Sequence, residues 1–456
     1  MSPTVTIIGA GLAGCEAAHQ VARRGFKVRL FEMRPAVSTD VHNGGRLADL
    51  VCSNSLRSDD PFHPVGLIKR EMAGWDSLII GAARAAAVPA GSALAVDREG
   101  FSQGVSQAIE GNANIELVRE EVTAIPDGPV ILAAGPLCSE ALSRDLYRFV
   151  DDRALYFYDA IAPVIEYDSL DHDVVYLKSR YDKGEGADYL NIPLDKETYE
   201  RFHQALVTGE RVEAKNHEKL IFFEGCLPVE IMADRGVDTL RFGPMKPVGL
   251  EDPRTGKQPY AVIQLRQDNF AKSHWNMVGF QTQLKWGEQK RVFQMLPGLE
   301  RARFVRYGMI HRNTYVDSSK HLLPTLQFRR RPDLFLAGQI SGVEGYVESA
   351  AAGLMAGVNM ARFLAGETPD PFPATTAMGA LAHYVSFQGH AKLDPTNINF
   401  GLLPPLARKG RMKRREKRAA MVHRAVADMI AFAHARGLSE FAMPDYDASE
   451  AVTPST

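Results

Sequence analysis

Val5-Thr6-Ile7-Ile8-Gly9-Ala10-Gly11-Leu12-Ala13-Gly14, running on to Val28-Arg29-Leu30-Phe31-Glu32, is the stretch from which the fold of this chain is read. It holds an apolar β-branched run, three glycines at G-x-G-x-x-G spacing, a helical segment from Cys15 to Gly25, and a second apolar run ending in an acid. Together these predict strand, turn, helix, strand. The glycine spacing alone matches many loops by chance, whereas the four coincident features specify a dinucleotide-binding βαβ unit. Gly9 allows the tight turn, Gly11 lets a pyrophosphate approach the backbone, and Gly14 lets the helix pack closely with its N-terminus toward the phosphates. Ala10, Leu12 and Ala13 complete that cradle, and Glu32 is placed to accept ribose hydroxyls.

At 456 residues with 45% hydrophobic content, the chain can bury the core of two or three domains. It holds no run of about 18 apolar residues and no basic leader, so a soluble cytoplasmic protein without membrane association is expected. Cys15, Cys52, Cys138 and Cys226 are widely spaced with no C-x-x-C pair. That argues against a disulfide scaffold, a metal site or a dithiol centre and leaves single-thiol chemistry. A net charge of −2 means that a polyanion partner needs a local basic patch.

Asp40 to Lys69, with Val51-Cys52-Ser53-Asn54-Ser55, is polar and Gly/Ser-rich and is expected to be a functional loop beside the ligand. An Ala-rich helix is predicted from Glu71 to Ala87 and a strand from Ile115 to Val122. Val130-Ile131-Leu132-Ala133-Ala134-Gly135 reads as a strand closing on small residues near the cofactor. Leu334-Phe335-Leu336-Ala337-Gly338-Gln339, followed by an Ala/Gly helix to Phe363, resembles the turn that holds the flavin ribityl and pyrophosphate in two-dinucleotide flavoproteins. FAD is thereby favoured over NAD. The predicted fold is α/β: an FAD-binding Rossmann-like domain of that type (residues 1–153 and 328–456) interrupted by a mixed α/β insertion (154–327) that serves as the substrate module.

The insertion carries Glu224-Gly225-Cys226-Leu227-Pro228 and Gly308-Met309-Ile310-His311-Arg312-Asn313-Thr314 among Gly/Pro turns, as a site assembled from loops would. In the tail, Arg408 to Arg418 contains eight Lys or Arg and one acid, Glu416. Such a run is either a solvated helix face or a phosphate-binding strip, and Lys413, Arg414 and Lys417 are the RNA-binding candidates.

Over nearly its whole length the chain closely resembles the folate- and FAD-dependent tRNA (uracil-5-)-methyltransferases. The resemblance is carried by Gly9 to Gly14, the Val51 to Ser58 stretch, Glu224 to Pro228, Gly279-Phe280-Gln281-Thr282, Gly308 to Thr314 and Asn397-Ile398-Asn399-Phe400-Gly401-Leu402. One departure is Ile192, where members often carry a further cysteine. The resemblance implies methylation of the T-loop uridine of tRNA at C5, with methylenetetrahydrofolate as carbon donor, reduced FAD as hydride donor, and NADH or NADPH as reductant. It implies tRNA (T-arm) and folate as partners and no obligate protein partner. Uracil C5 becomes nucleophilic once a thiolate adds to C6. Cys226, in the insertion that presents the base, is assigned that role, and Cys52 is expected to shape the flavin pocket and assist proton transfer at C5. His311 is the candidate for stacking on the pterin. The alternatives are the related FAD-dependent tRNA wobble-uridine modifier, which is longer and works with a GTPase, and a non-catalytic flavoprotein that chaperones RNA.

Overall fold

The computed structural model describes residues 3–442 except 40, 43, 151–154, 185, 214–219 and 408–411. Its first elements are β1 (Thr4–Ile8), α1 (Leu12–Ala22) and β2 (Lys27–Phe31). β1 and β2 pair in parallel, Val5 opposite Val28 and Ile7 opposite Leu30, with all four side chains buried. β1 is central in a six-stranded sheet that runs 327–328, 331–336, 130–132, β1, β2, 115–118. All pairs are parallel except the outermost one, 327–328 against 331–336. A parallel sheet of this kind is covered on its faces, which is why these strands are near-continuous apolar runs.

The glycines do what the spacing requires. Gly9 has φ +97°, and a Cβ there would lie 2.6 Å from Ala133 O. A Cβ on Gly14 would lie 1.7 Å from Gly9 O, so only glycine lets α1 start this close to the turn. The closing helix Tyr346–Leu364 lies across α1 with the same economy: a Cβ on Gly353 would come within 2.1 Å of Ala13 O, and one on Gly357 within 2.8 Å of Ala17 O.

The structure corrects three expectations. The Asp40 to Lys69 segment is not loop throughout: it forms a strand at Ser55–Ser58 and enters a helix at Pro64–Gly74. His63 Nδ1 accepts from Val65 N at 3.3 Å and Pro64 opens the first turn, a start signal hidden in a polar run. The single helix expected from Glu71 to Ala87 is two, Pro64–Gly74 and Leu78–Ala85. Asp76 adopts φ +54° between them, and Ser77 caps the second by accepting from Ile80 N at 3.2 Å. The strand predicted to Val122 ends at Val118.

Residues 164–306 contribute a second six-stranded sheet, entirely antiparallel, in the order 176–177, 189–194, 261–267, 274–277, 164–166, 304–306. With helices such as Lys196–Thr208 and Trp286–Phe293 it encloses a core separate from that of the first sheet. The chain enters and leaves this body through a two-stranded antiparallel ribbon, Leu155–Ala160 against Ile310–Tyr315. No helix among the described residues is long and apolar enough to cross a membrane.

Candidate active site

One cleft runs along the carboxyl ends of the parallel strands, the usual ligand position in such sheets. Gly9, Gly11, Leu12, Ala13, Glu32, Gly135, Gly338 and Gln339 all line it. Ala10 and Gly14 do not: Ala10 N donates to Glu32 Oε2 at 3.1 Å, and Gly14 lies beneath the turn. A Cβ on Gly11 would meet nothing within 4 Å, and no side chain caps α1. Open space beside an uncapped helix N-terminus fits a pyrophosphate. Glu32 is more engaged than a free ribose acceptor, since Oε1 also accepts from Arg34 N at 3.0 Å and Arg34 Nε at 2.8 Å. Burial opposes its ionisation, but the hydrogen bonds and charge of Arg34 hold its carboxyl below the usual range.

Both sequence-selected thiols are tied to this cleft, Cys52 through Tyr346 and Cys226 through Glu344 and Gln339. All four cysteines are free. Tyr346, at the start of the closing helix and lining the cleft, brings its hydroxyl to 2.9 Å from Cys52 Sγ. The same oxygen accepts from Cys52 N at 2.8 Å and Ser53 N at 3.2 Å. With two N–H groups on its lone pairs, the phenol proton is left for the sulfur. Two half-buried arginines fix the loop: Arg98 donates to Leu50 O and, at 2.9 Å, to Asp268, while Arg306 donates to Val51 O at 2.9 Å. Burial still pushes the Cys52 thiol up to about 11 against the Tyr346 hydrogen bond and the Arg98 charge.

Cys226 ends a short 3-10 turn, Glu224–Cys226, whose Cys226 N donates to Phe223 O at 3.0 Å. Its sulfur and one carboxylate oxygen each of Asp159 and Glu344 lie within 4.8 Å of one another. Burial, then the neighbouring charges of Asp159, Cys52 and Glu344, raise the Cys226 thiol well above its ordinary value. Asp159 is buried in the ribbon, where Asn313 Nδ2 donates to its Oδ2 at 2.6 Å. Gln339 Nε2 donates to Glu344 Oε2 at 2.6 Å and so links this group to the cleft. His311 stands opposite Asp159 in the ribbon register. Desolvation first, then the charge of His42, lowers it to about 4, so it is a neutral imidazole whose buried Nδ1 has no partner among the described residues.

The structure therefore gathers the cradle residues, Cys52, Cys226 and His311 around one region. Lys413, Arg414 and Lys417 lie elsewhere, exposed at the start of the tail helix Arg414–Ala435. Arg408, Lys409 and Arg411 of the same basic strip fall outside the described residues. Sequence reasoning missed Asp159, Asn313, Glu344 and Tyr346. Asp159 had one available signal, an acid inside the apolar run Leu155-Tyr156-Phe157-Tyr158-Asp159-Ala160-Ile161.

Residues 4–368 match the family model described as glucose inhibited division protein A. The methylenetetrahydrofolate–tRNA-(uracil-5-)-methyltransferase TrmFO of Pelotomaculum thermopropionicum is 57% identical over 416 residues, 91% of this chain and 95% of the relative. The protein of the same name from Bacillus pumilus is 55% identical over 420 residues, 92% of this chain and 96% of the relative. Among solved structures, GidA of Aquifex aeolicus superposes with a TM-score of 0.70 at 18% identity, covering 98% of this chain and 77% of that one, which is a likeness of fold. With identity above half along nine-tenths of its length, and with the dinucleotide cradle in place, this chain belongs to the methylenetetrahydrofolate–tRNA-(uracil-5-)-methyltransferase family.

Proposed function

We propose that this protein methylates C5 of the T-loop uridine of tRNA with a carbon taken from methylenetetrahydrofolate. The observation that supports the reading is that Cys52, hydrogen-bonded to Tyr346, and Cys226, grouped with a Glu344 that accepts from Gln339, are each tied to a residue lining one cleft built from both dinucleotide half-sites. FAD, when bound, supplies hydride chemistry, and Gly9, Gly11, Gly135, Gly338 and Gln339 would hold it. NADH or NADPH is the proposed source of that hydride. Cys226 is the proposed nucleophile at uracil C6. Cys52, with Tyr346 hydrogen-bonded to its sulfur, is the proposed partner for the C5 proton. The division at 153/154 and 327/328 belongs to the same reading. Two separate cores support it, although 151–154 lie outside the described residues and Val316, Leu322 and Leu326 pack with the first core. Incubating unmodified tRNA with methylenetetrahydrofolate and NADPH or NADH, followed by nucleoside analysis, tests the whole: 5-methyluridine is expected, and a wobble-base product or none rejects it.

A pterin would meet His311 as a neutral ring able to stack and hydrogen-bond. His311→Ala is expected to raise the KM for methylenetetrahydrofolate about tenfold, the scale of a lost stacking contact, with FAD content unchanged. An unaltered folate KM removes His311 from the site.

Lys413, Arg414 and Lys417 are solvent-facing, and Glu416 folds back to accept from Lys413 N at 3.1 Å. If they touch phosphates, replacing all three with Gln should reduce the magnitude of the log–log salt slope of tRNA binding by about one per contact and leave the choice of uridine unchanged. An identical slope returns the strip to a solvated face.

A further inference from the structure

We propose that Asp159 is the general base for Cys226: its carboxylate takes the thiol proton as the sulfur bonds to C6 of the target uracil. This rests on Cys226 being the nucleophile. Three observations point to Asp159. It is buried beside Cys226, within 4.8 Å of the sulfur. Its Oδ2 is held by Asn313, which fixes the carboxylate, while its buried Oδ1 has no hydrogen-bond partner among the described residues. A buried acceptor left vacant is costly, and a proton taken from the adjacent thiol removes that cost. Finally, Cys226 sits among acids and is raised well above its ordinary value, so it cannot add to the base as a pre-formed thiolate and needs an acceptor in the same step.

The neighbouring acid is the poorer choice. Glu344 is already engaged by Gln339, and burial followed by the charge of Asp159 raises it well above the carboxylate range. Burial raises Asp159 only to about 6, opposed first by the hydrogen bond from Asn313. It is therefore ionised at neutral pH and still basic enough to accept a proton. The titratable groups facing it are Cys226, Cys52 and Glu344, with His311 opposite it in the ribbon.

The proton inventory closes. As S–C6 forms, the S–H bond breaks, its proton goes to Asp159, and the C5=C6 electron pair moves into the C4 enolate. After C5 has gained its carbon and lost its proton, and that carbon has parted from the folate nitrogen and taken the hydride that bound reduced FAD would supply, the resulting enolate re-forms C5=C6 and expels the sulfur, which recovers the proton from Asp159. Nothing is oxidised or reduced at either residue.

The test uses the FAD-loaded enzyme, saturating methylenetetrahydrofolate, NADPH and a T-arm minihelix carrying 5-fluorouridine at the target, with the covalent adduct followed on denaturing gels across pH. The wild-type rate should fall as pH drops through about 6, because protonated Asp159 cannot accept. Asp159→Asn should slow the adduct by roughly 100-fold or more at neutral pH, and its rate should climb with pH without that limb. FAD content and minihelix affinity should not change, and Asp159→Glu should recover part of the rate. A Cys226 adduct formed by Asp159→Asn at the wild-type rate overturns the proposal alone. So does a variant whose sole defect is a raised KM for the folate. A wild-type adduct mapped by peptide mass to Cys52 overturns the nucleophile assignment and this proposal together.

Discussion

Cys226→Ala, loaded with FAD and given a 5-fluorouridine minihelix in the complete reaction mixture, forms no covalent adduct and makes no 5-methyluridine on natural tRNA. Cys52→Ala forms the adduct yet makes no product either. Each loss of turnover should be on the order of 10⁴-fold or more, the scale seen when a covalent nucleophile or its essential partner is removed. The two thiols differ in surroundings, which is why their variants should fail differently. Cys226 lies against the Asp159 carboxylate, which can take its proton, while Cys52 is hydrogen-bonded to the hydroxyl of Tyr346 near the Arg98 guanidinium. The first setting suits addition to a carbon and the second suits holding and passing a proton. Adduct formation by Cys226→Ala with its loss in Cys52→Ala would reverse the roles.

The second large effect separates two glycines that look alike in the motif. Gly14→Ala places a methyl 1.7 Å from Gly9 O, which is backbone and cannot step aside. Overpacking of that kind costs about 1–3 kcal/mol and occasionally more, and here it pushes on the turn that shapes the cleft, so the variant should melt early and purify without flavin. Gly11→Leu meets nothing within 4 Å, and Gly11 has φ −76°, which any residue can adopt. That variant should keep the wild-type Tm and lose its yellow colour, because its side chain fills only the space a pyrophosphate needs. Thermal melts and flavin absorbance on both proteins check the contrast; stoichiometric FAD in Gly11→Leu would displace the proposed cradle.

The contrast also shows which features a sequence can display. The βαβ unit was readable because its determinants are local: the turn needs Gly9, the helix start needs Gly14, and the spacing between them is short. Cys52 and Cys226 were readable through their motifs. Asp159 was not, because what makes it reactive comes from Asn313, Gln339, Glu344 and Cys226, none of which is near it in the chain. Tyr346 was passed over for the same reason: its partners, Cys52 and Ser53, are brought by another loop. The break at Asp76 was masked by helix-favouring neighbours, whose summed propensity outweighs one polar pair when only composition is read. The halves of the basic strip were readable as charge, but charge alone does not distinguish a phosphate contact from a solvated helix.

The seam between α1 and the closing helix sets an order of events during synthesis. The face of α1 that packs against the glycines of the closing helix receives its partner only after Leu364 has been translated, and the strand 331–336 that extends the parallel sheet past 130–132 is made just before it. At elongation rates of roughly 5–20 residues per second, that leaves the N-terminal βαβ unit waiting roughly 20–70 s with an uncovered face. The second body, bounded by its own ribbon, can fold in that interval. FAD capture is thus a late step, following release of most of the chain, and a ribosome stalled within the insertion would carry a flavin half-site that cannot yet close.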